Sequence, residues 1–294
     1  MKKILLVSTL LLMALVAGAQ TKVAPKMQKG TKKVYVSELT TNLPGQKEVT
    51  ITCESQYEVT DVTADGYVLD MVTTNVQTNA DANDVVGRIL SLSTEMLKGG
   101  HVLFATDKDG KVVKILNYDE LKKGTQETLG KINDGLQLPE MLSKDMLTEQ
   151  MMGSLTEETL LQSVQMNTSP LALNGKTIAT GAQDEYRNEQ GLKMKRMYFL
   201  NNDGSIMTTA TMNMNKEEMK QMVIAQVEKV APDQAEMVKQ NIDMLINNNM
   251  LKMEASEKAT YTLPADGWVG TNKTEVTSET MGQKTSVQTT VRQQ

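Results

Sequence analysis

Cysteine, histidine and aromatic side chains are scarce in this chain, and each scarcity removes a class of function. Cys53 is the sole cysteine, so no internal disulfide and no multi-cysteine metal centre can form. His101 is the sole histidine, which excludes zinc sites built on two or three His. A Ser/His/Asp triad would have to use that residue, and neither G-x-S-x-G nor S-x-x-K accompanies it. Ten aromatics (one Trp, seven Tyr, two Phe) leave few stacking platforms for a sugar site. Asp61, Asp65 and Asp70 lie close in sequence, but nothing in their spacing sets two carboxylates across a substrate. Gly124–Ile132 (GTQETLGKI) has five residues between its glycines where a phosphate loop has four. Ile132 also stands where a Mg²⁺-binding hydroxyl belongs. No catalytic residues and no cofactor are expected, and the chain reads as a non-enzyme.

Long apolar runs are absent after the N-terminus, where MKKILLVSTLLLMALVAGAQ has the layout of a secretory signal. Lys2 and Lys3 precede the uncharged run Ile4–Val16, which is too short for a good membrane span, and Ala17-Gly18-Ala19 offers small residues for cleavage. The expected division is 1–19 signal peptide, 20–32 mobile leader and 33–294 a single domain. The alternative is two halves, 33–166 and 177–294, joined by the Pro- and Gly-flanked connector 167–176. Losing Lys2 and Lys3 moves the formal charge from −5 to −7 (−5 − 2), which argues against nucleic acid and anionic membrane surfaces as partners. No stable membrane span is expected after cleavage. The protein is expected to be exported, to the periplasm, the outer membrane or the exterior.

What the chain has in quantity is methionine, 22 residues, and period-2 alternation. Val49, Ile51, Cys53, Tyr57 and Val59 share one parity, as do Tyr67, Leu69 and Met71, and Ala255, Ala259 and Tyr261 later. Cys53 therefore reads as a small buried hydrophobe. Helical spacing marks Asn83–Lys98, Met219–Val230 after an Asn215/Glu218 cap, and Val238–Ile246 after Pro232. Ser154 and Glu157 fit a capping box. Met207, Met212, Met214, Met219 and Met222 form a cluster of soft thioethers suited to Cu(I), although Met212 and Met214 also fit a strand's inward face.

Asp-Gly pairs at 65–66, 109–110, 203–204 and 266–267 sit between alternating segments and read as hairpin turns. Asp107-Lys108-Asp109-Gly110 resembles the start of a calcium loop, but Lys111, Val112 and Tyr118 occupy later positions that an EF-hand reserves for ligands or glycine. VLFATDKDGKVVKI and RMYFLNNDGSIMTT each place a Phe before such a turn, which suggests a pseudo-repeat of two halves. Runs of hairpins punctuated by helices indicate an α+β fold: a curved antiparallel sheet with Met-rich helices packed on one face.

The phrases YEVTDVTADGYVLDM and YTLPADGWV, in an exported β-rich frame, look like uncharacterised cell-envelope proteins of Gram-negative bacteria. The architecture is similar to the curved-sheet cradle of periplasmic lipoprotein carriers (LolA-like). The expected function is a non-enzymatic envelope protein, a structural or partner-binding module. Two alternatives stand beside it: the compliant Met-rich helices could enclose an apolar, lipid-like ligand, and the thioether cluster could bind Cu(I).

Overall fold

The computed structural model describes residues 20–42, 44–45, 47–81, 87, 90, 98–135, 148, 152–153, 155–166, 168–188, 191–230, 232–247, 253–280 and 283–294. The expected signal peptide, most of the expected helix Asn83–Lys98, and Ser154 of the expected capping box lie outside these residues.

Alternation in the sequence becomes one open, curved antiparallel sheet of eleven strands. The first five strands of this sheet along the chain are β2 (Lys32–Asn42), β3 (Val49–Val62), β4 (Gly66–Thr78), β5 (His101–Asp107) and β6 (Val112–Ile115). The later six are β8 (Gln183–Arg187), β9 (Lys193–Leu200), β10 (Ile206–Met212), β11 (Met253–Thr262), β12 (Thr271–Thr280) and β13 (Gln283–Gln293). Their spatial order is β6-β5-β4-β3-β2-β13-β12-β11-β10-β9-β8. The two halves of the chain thus share one sheet, joined where β2 pairs with β13 (Tyr35 opposite Gln293, Leu39 opposite Thr289). A separate two-stranded ribbon pairs β1 (Gln20–Lys22) with β7 (Thr177–Ala179).

One face is apolar and covered. Tyr35, Tyr57, Val59, Leu69, Phe104 and Ile115 fill it on the β2–β6 side, and Tyr198, Ile206, Ala259 and Tyr261 on the other. The opposite face carries Thr, Lys, Glu and Gln, as expected for a sheet solvated on one side.

Residues 20–30 correct the expectation of a mobile leader. Val23 and Met27 are buried, and β1 is hydrogen-bonded to β7. Val23 N–H donates to the Lys176 carbonyl (2.9 Å), Gly175 N–H to Val23 (2.8 Å), and Lys26 N–H to Asp266 (2.8 Å). No periodicity was visible because the segment is neither helix nor sheet strand for most of its length. Its backbone groups are satisfied one by one by loops.

The stretch expected to be a connector is likewise drawn inside: Leu171, Ala172, Leu173 and Asn174 are all buried. It can leave water because it bonds to itself in successive turns: Ala172 N–H to Ser169, Asn174 N–H to Leu171, Lys176 N–H to Leu173. The third covering segment is the β11–β12 loop, whose Trp268 (1% exposed) donates its indole N–H to the Lys26 carbonyl at 3.3 Å.

Helices α1 (Tyr118–Gly135) and α2 (Glu157–Gln165) belong to the first half of the chain, α3 (Lys216–Val230) and α4 (Pro232–Asn247) to the second. α2 starts at an N-cap formed by Thr156, whose hydroxyl accepts from Thr159 N–H at 3.0 Å. Val164, Leu160 and Leu161 of α2 pack on the sheet's apolar face, with Tyr118 and Leu121 of α1 beside them. At α3 the Asn215/Glu218 cap forms reciprocally, each side chain accepting from the other's backbone N–H at 2.9 Å.

The Met-rich helices behave differently from expectation. Val223 and Ile224 of α3 and Val238, Ile242 and Ile246 of α4 pack on one another rather than along the sheet. The reason is topological. β10 and β11 are direct neighbours (Thr211 opposite Ser256), so the inserted helices leave and return at the same sheet end.

The expected pseudo-repeat finds no equivalence in the sheet. β5 and β9 are each second from an edge, yet β6 continues outward to the edge while β10 turns inward. Phe104 is fully buried, whereas Phe199 alternates with the buried Tyr198 and so lies on the opposite face.

Candidate functional site

The Asp-Gly turns resolve into three different devices. At Asp107-Lys108-Asp109-Gly110 the Asp107 carboxylate accepts from Asp109 N–H and Lys111 N–H, both at 2.9 Å, and Gly110 adopts a φ of +81°. Asp109 pairs with Lys22 at 2.7 Å, tying the N-terminal segment down. Gly66 has a different role: a Cβ there would stand 1.9 Å from the Thr106 carbonyl oxygen, so glycine permits the close approach of β4 to β5. Asp266-Gly267 is no tight hairpin but part of the loop holding the leader, with Asp266 accepting from Lys33 at 2.6 Å.

The methionine cluster divides. Met212, Met214 and Met222, with Met253, pack against the buried group Leu192, Met194, Ala210 and Ala255. Met207 lies on the opposite parity of β10 from Ile206 and Ala210, outside that group, and Met219 is likewise not part of it. His101 is exposed on the solvated face, its Nδ1 3.1 Å from Asp70. Cys53 is on the apolar face but only half-buried, its Sγ 3.6 Å from the Ser55 hydroxyl.

The densest polar arrangement is one that alternation alone did not reveal. Asp184 on β8, Arg196 on β9, Ala210 on β10 and Glu257 on β11 stand directly opposite one another across four strands. Arg196 is 3% exposed and binds Asp184 in bidentate fashion, Nε to Oδ1 at 2.8 Å and a terminal nitrogen to Oδ2 at 2.7 Å. Tyr198 donates its hydroxyl to Asp184 (2.8 Å), and Lys176 donates to both Asp184 (3.0 Å) and Tyr198 (2.9 Å). Tyr186 donates to the buried Glu257 at 2.8 Å. The guanidinium lies over the rings of Tyr186 and Tyr198, 4.6 and 5.0 Å from their centroids.

Burial alone would raise the Asp184 carboxyl. The Arg196 hydrogen bonds and charge, with the Lys176 charge and the Tyr198 hydroxyl, outweigh it and hold the group at about 2. Two cations and two carboxylates close the network on itself, so its chemistry is cohesive rather than reactive. A sequence signal did exist: Arg196 shares the inward parity of Met194 and Tyr198, and Glu257 that of Ala255 and Ala259.

Two concavities stand out among the described residues. A cleft of about 370 Å³ runs beside β10–β12 and is lined mainly by Thr211, Ser256, Thr277, Glu254, Glu279 and Lys284. A niche of about 150 Å³ lies between the apolar face of the sheet and α2 with the turn after it, and hydroxyls line much of it. Small-molecule pockets usually measure roughly 300–1,000 Å³, a range that takes in the cleft but not the niche.

No protein-family model matches the chain, and no curated protein does. Among solved structures it is similar to lipovitellin, from work on lipid–protein interactions, at 10% identity and a TM-score of 0.38. That match covers 91% of this chain and 25% of the other, so this chain spans about a quarter of lipovitellin's length. DynF of the dynemicin pathway of Micromonospora chersina matches at 9% identity and a TM-score of 0.19, over 93% of this chain and 84% of its own. A porin-like protein of Bacteroides uniformis matches at 11% identity and a TM-score of 0.19, over 93% and 98%. At these scores none carries an argument about what this chain does.

Proposed function

We propose that the chain is an exported, non-enzymatic envelope protein that acts as a partner-binding module through its α3–α4 hairpin. One observation carries this reading. The apolar face of the sheet is occupied by the protein's own leader, turn segment and loop, while α4 leaves Met237 and Met244 exposed (59% and 56%). These two are seven residues apart, on one side of a helix whose Val238 and Ile242 turn towards α3. Flexible thioethers on an exposed helix offer an adaptable apolar contact. Export rests on the N-terminal pattern of charge, apolar run and small residues.

The test places a photo-crosslinking amino acid at Met237, and separately at Met244, in cells. A discrete adduct at both sites, weakened when the other methionine is changed to Lys, supports the reading. No adduct at either, or equal adducts from the solvated sheet face, would sink it. Native mass spectrometry of the purified protein distinguishes the carrier alternative, for which a stoichiometric co-purifying lipid is the required result.

A further inference from the structure

Removal of the expected signal after Ala19 makes Gln20 the first residue of the mature chain. A terminal glutamine carries both halves of a reaction, because its α-amino nitrogen can reach its own side-chain amide carbon and close a lactam. The fold decides whether those two groups are free to meet.

Gln20 opens β1, and its side chain is exposed. It stands opposite Ala179 of β7, with Thr21 opposite Ile178 and Lys22 opposite Thr177. In an antiparallel pair, positions that exchange backbone hydrogen bonds alternate with positions that do not. Val23 N–H donates to the Lys176 carbonyl, which lies opposite it in the same register. Val23 and Thr21 therefore occupy bonded positions, and Lys22 and Gln20 unbonded ones. Ala179 agrees with this phase, because its carbonyl is turned to Ala182 N–H at 3.1 Å. The Gln20 nitrogen thus points away from β7 and, once Ala19 is gone, is held by no bond of the ribbon. Just behind it the chain is fixed: Lys22 pairs with Asp109 at 2.7 Å, and Val23 is 1% exposed.

We propose that Gln20 is a modification site, and that after signal removal it cyclises to pyroglutamate at the start of β1. The α-amino nitrogen attacks the side-chain amide carbon. The bond from that carbon to its own nitrogen breaks, and this nitrogen leaves as ammonia with the proton given up by the amine. No oxidant and no cofactor is consumed. An α-amino group titrates at about pH 8, so the neutral nucleophile is present at physiological pH. The product offers no terminal positive charge and no free amine to an aminopeptidase, ahead of a segment whose Val23 and Met27 lie in the core. The inference rests on the export reading above.

Two measurements test it. In the first, the exported protein is purified without heat or acid and its N-terminal peptide is read by mass spectrometry. A peptide that starts at residue 20 and is lighter than the linear form by one ammonia is expected, with no such loss in Gln20→Ala. A linear Gln20 with a free amine overturns the proposal and leaves export standing, as does a cut at another residue. A chain that keeps residues 1–19 overturns both. In the second, residues 20–294 are released from an N-terminal fusion so that Gln20 comes first, and ammonia release is followed at neutral pH. Cyclisation in the folded protein should be as fast as in urea. Protection by folding would mean that the Gln20 nitrogen or side chain is tied down, and would overturn the proposal whatever the fate of the signal.

Discussion

Asp184→Ala is the substitution that most directly tests the account of the buried charge row. It removes the two carboxylate oxygens to which the Arg196 guanidinium, 3% exposed and unable to lose its proton, donates in bidentate fashion. Removing one partner of a buried ion pair costs about 3–5 kcal/mol, because the remaining charge loses its closest compensation. Lys176 escapes this penalty, since its side chain is 32% exposed and can turn to water. Over the roughly 275 residues after the expected cleavage site, an unfolding entropy of about 2.1 cal/mol/K per residue gives about 0.6 kcal/mol/K. A loss of about 4 kcal/mol then lowers Tm by about 7 °C. Replacing both partners, Asp184→Leu with Arg196→Met, should restore most of this, because a buried pair exchanged for apolar side chains is often neutral or stabilising. Scanning calorimetry and urea melts of the wild type, both single variants and the double variant provide the measurement. If Asp184→Ala melts within about 1 °C of wild type, the bidentate pair is not the cohesive element argued for. A double variant no more stable than the singles would equally refute the reasoning.

Three further outcomes follow from the same geometry. The Asp184 carboxyl is held at about 2 in the fold against an ordinary 3.8, so its stabilisation is complete above about pH 4 and disappears as pH falls through 2. With screening at this partly exposed carboxylate, wild type should lose about 1–2 kcal/mol across that window, and Asp184→Asn should lack this component in acid melts. Val23→Asp buries an unpaired carboxylate against the turn segment. It should cost roughly 3 kcal/mol and release the leader, read as new cleavage near residues 20–30 in limited proteolysis. Gly66→Ala should destabilise by more than about 1 kcal/mol, because its Cβ would collide with the Thr106 carbonyl, and Gly30→Ala should not act through a clash, because its Cβ would meet nothing within 4 Å.

Local chemistry was readable from the chain. Side chains alternate between the two faces of a strand, so Tyr57, Val59, Leu69, Ala259 and Tyr261 declared their burial by parity. A cap is a contact between residues three apart, so Asn215 and Glu218 declared the start of α3. The candidate sites were less legible. The methionines at 207, 212, 214, 219 and 222 are close in sequence, but Met207 lies on the other face of its strand and only Met212, Met214 and Met222 pack against one buried group. The niche draws its lining from β2, β3, β4, β13, α2 and a turn, and no window of sequence contains them together.

The sequence by itself therefore determined where strands run and reverse, which side of each is apolar, and where α3 and α4 begin. Such properties depend on neighbours within about four residues. Tertiary structure alone decided that β2 meets β13, that Asp184, Arg196 and Glu257 fall into one row, and that residues 20–30 and 168–176 are bound into the fold and feed its core rather than linking it. Segments without periodicity carry no signature of burial. Their polar backbone can be hidden only when distant loops supply its hydrogen bonds, and those partners exist only once the sheet has formed.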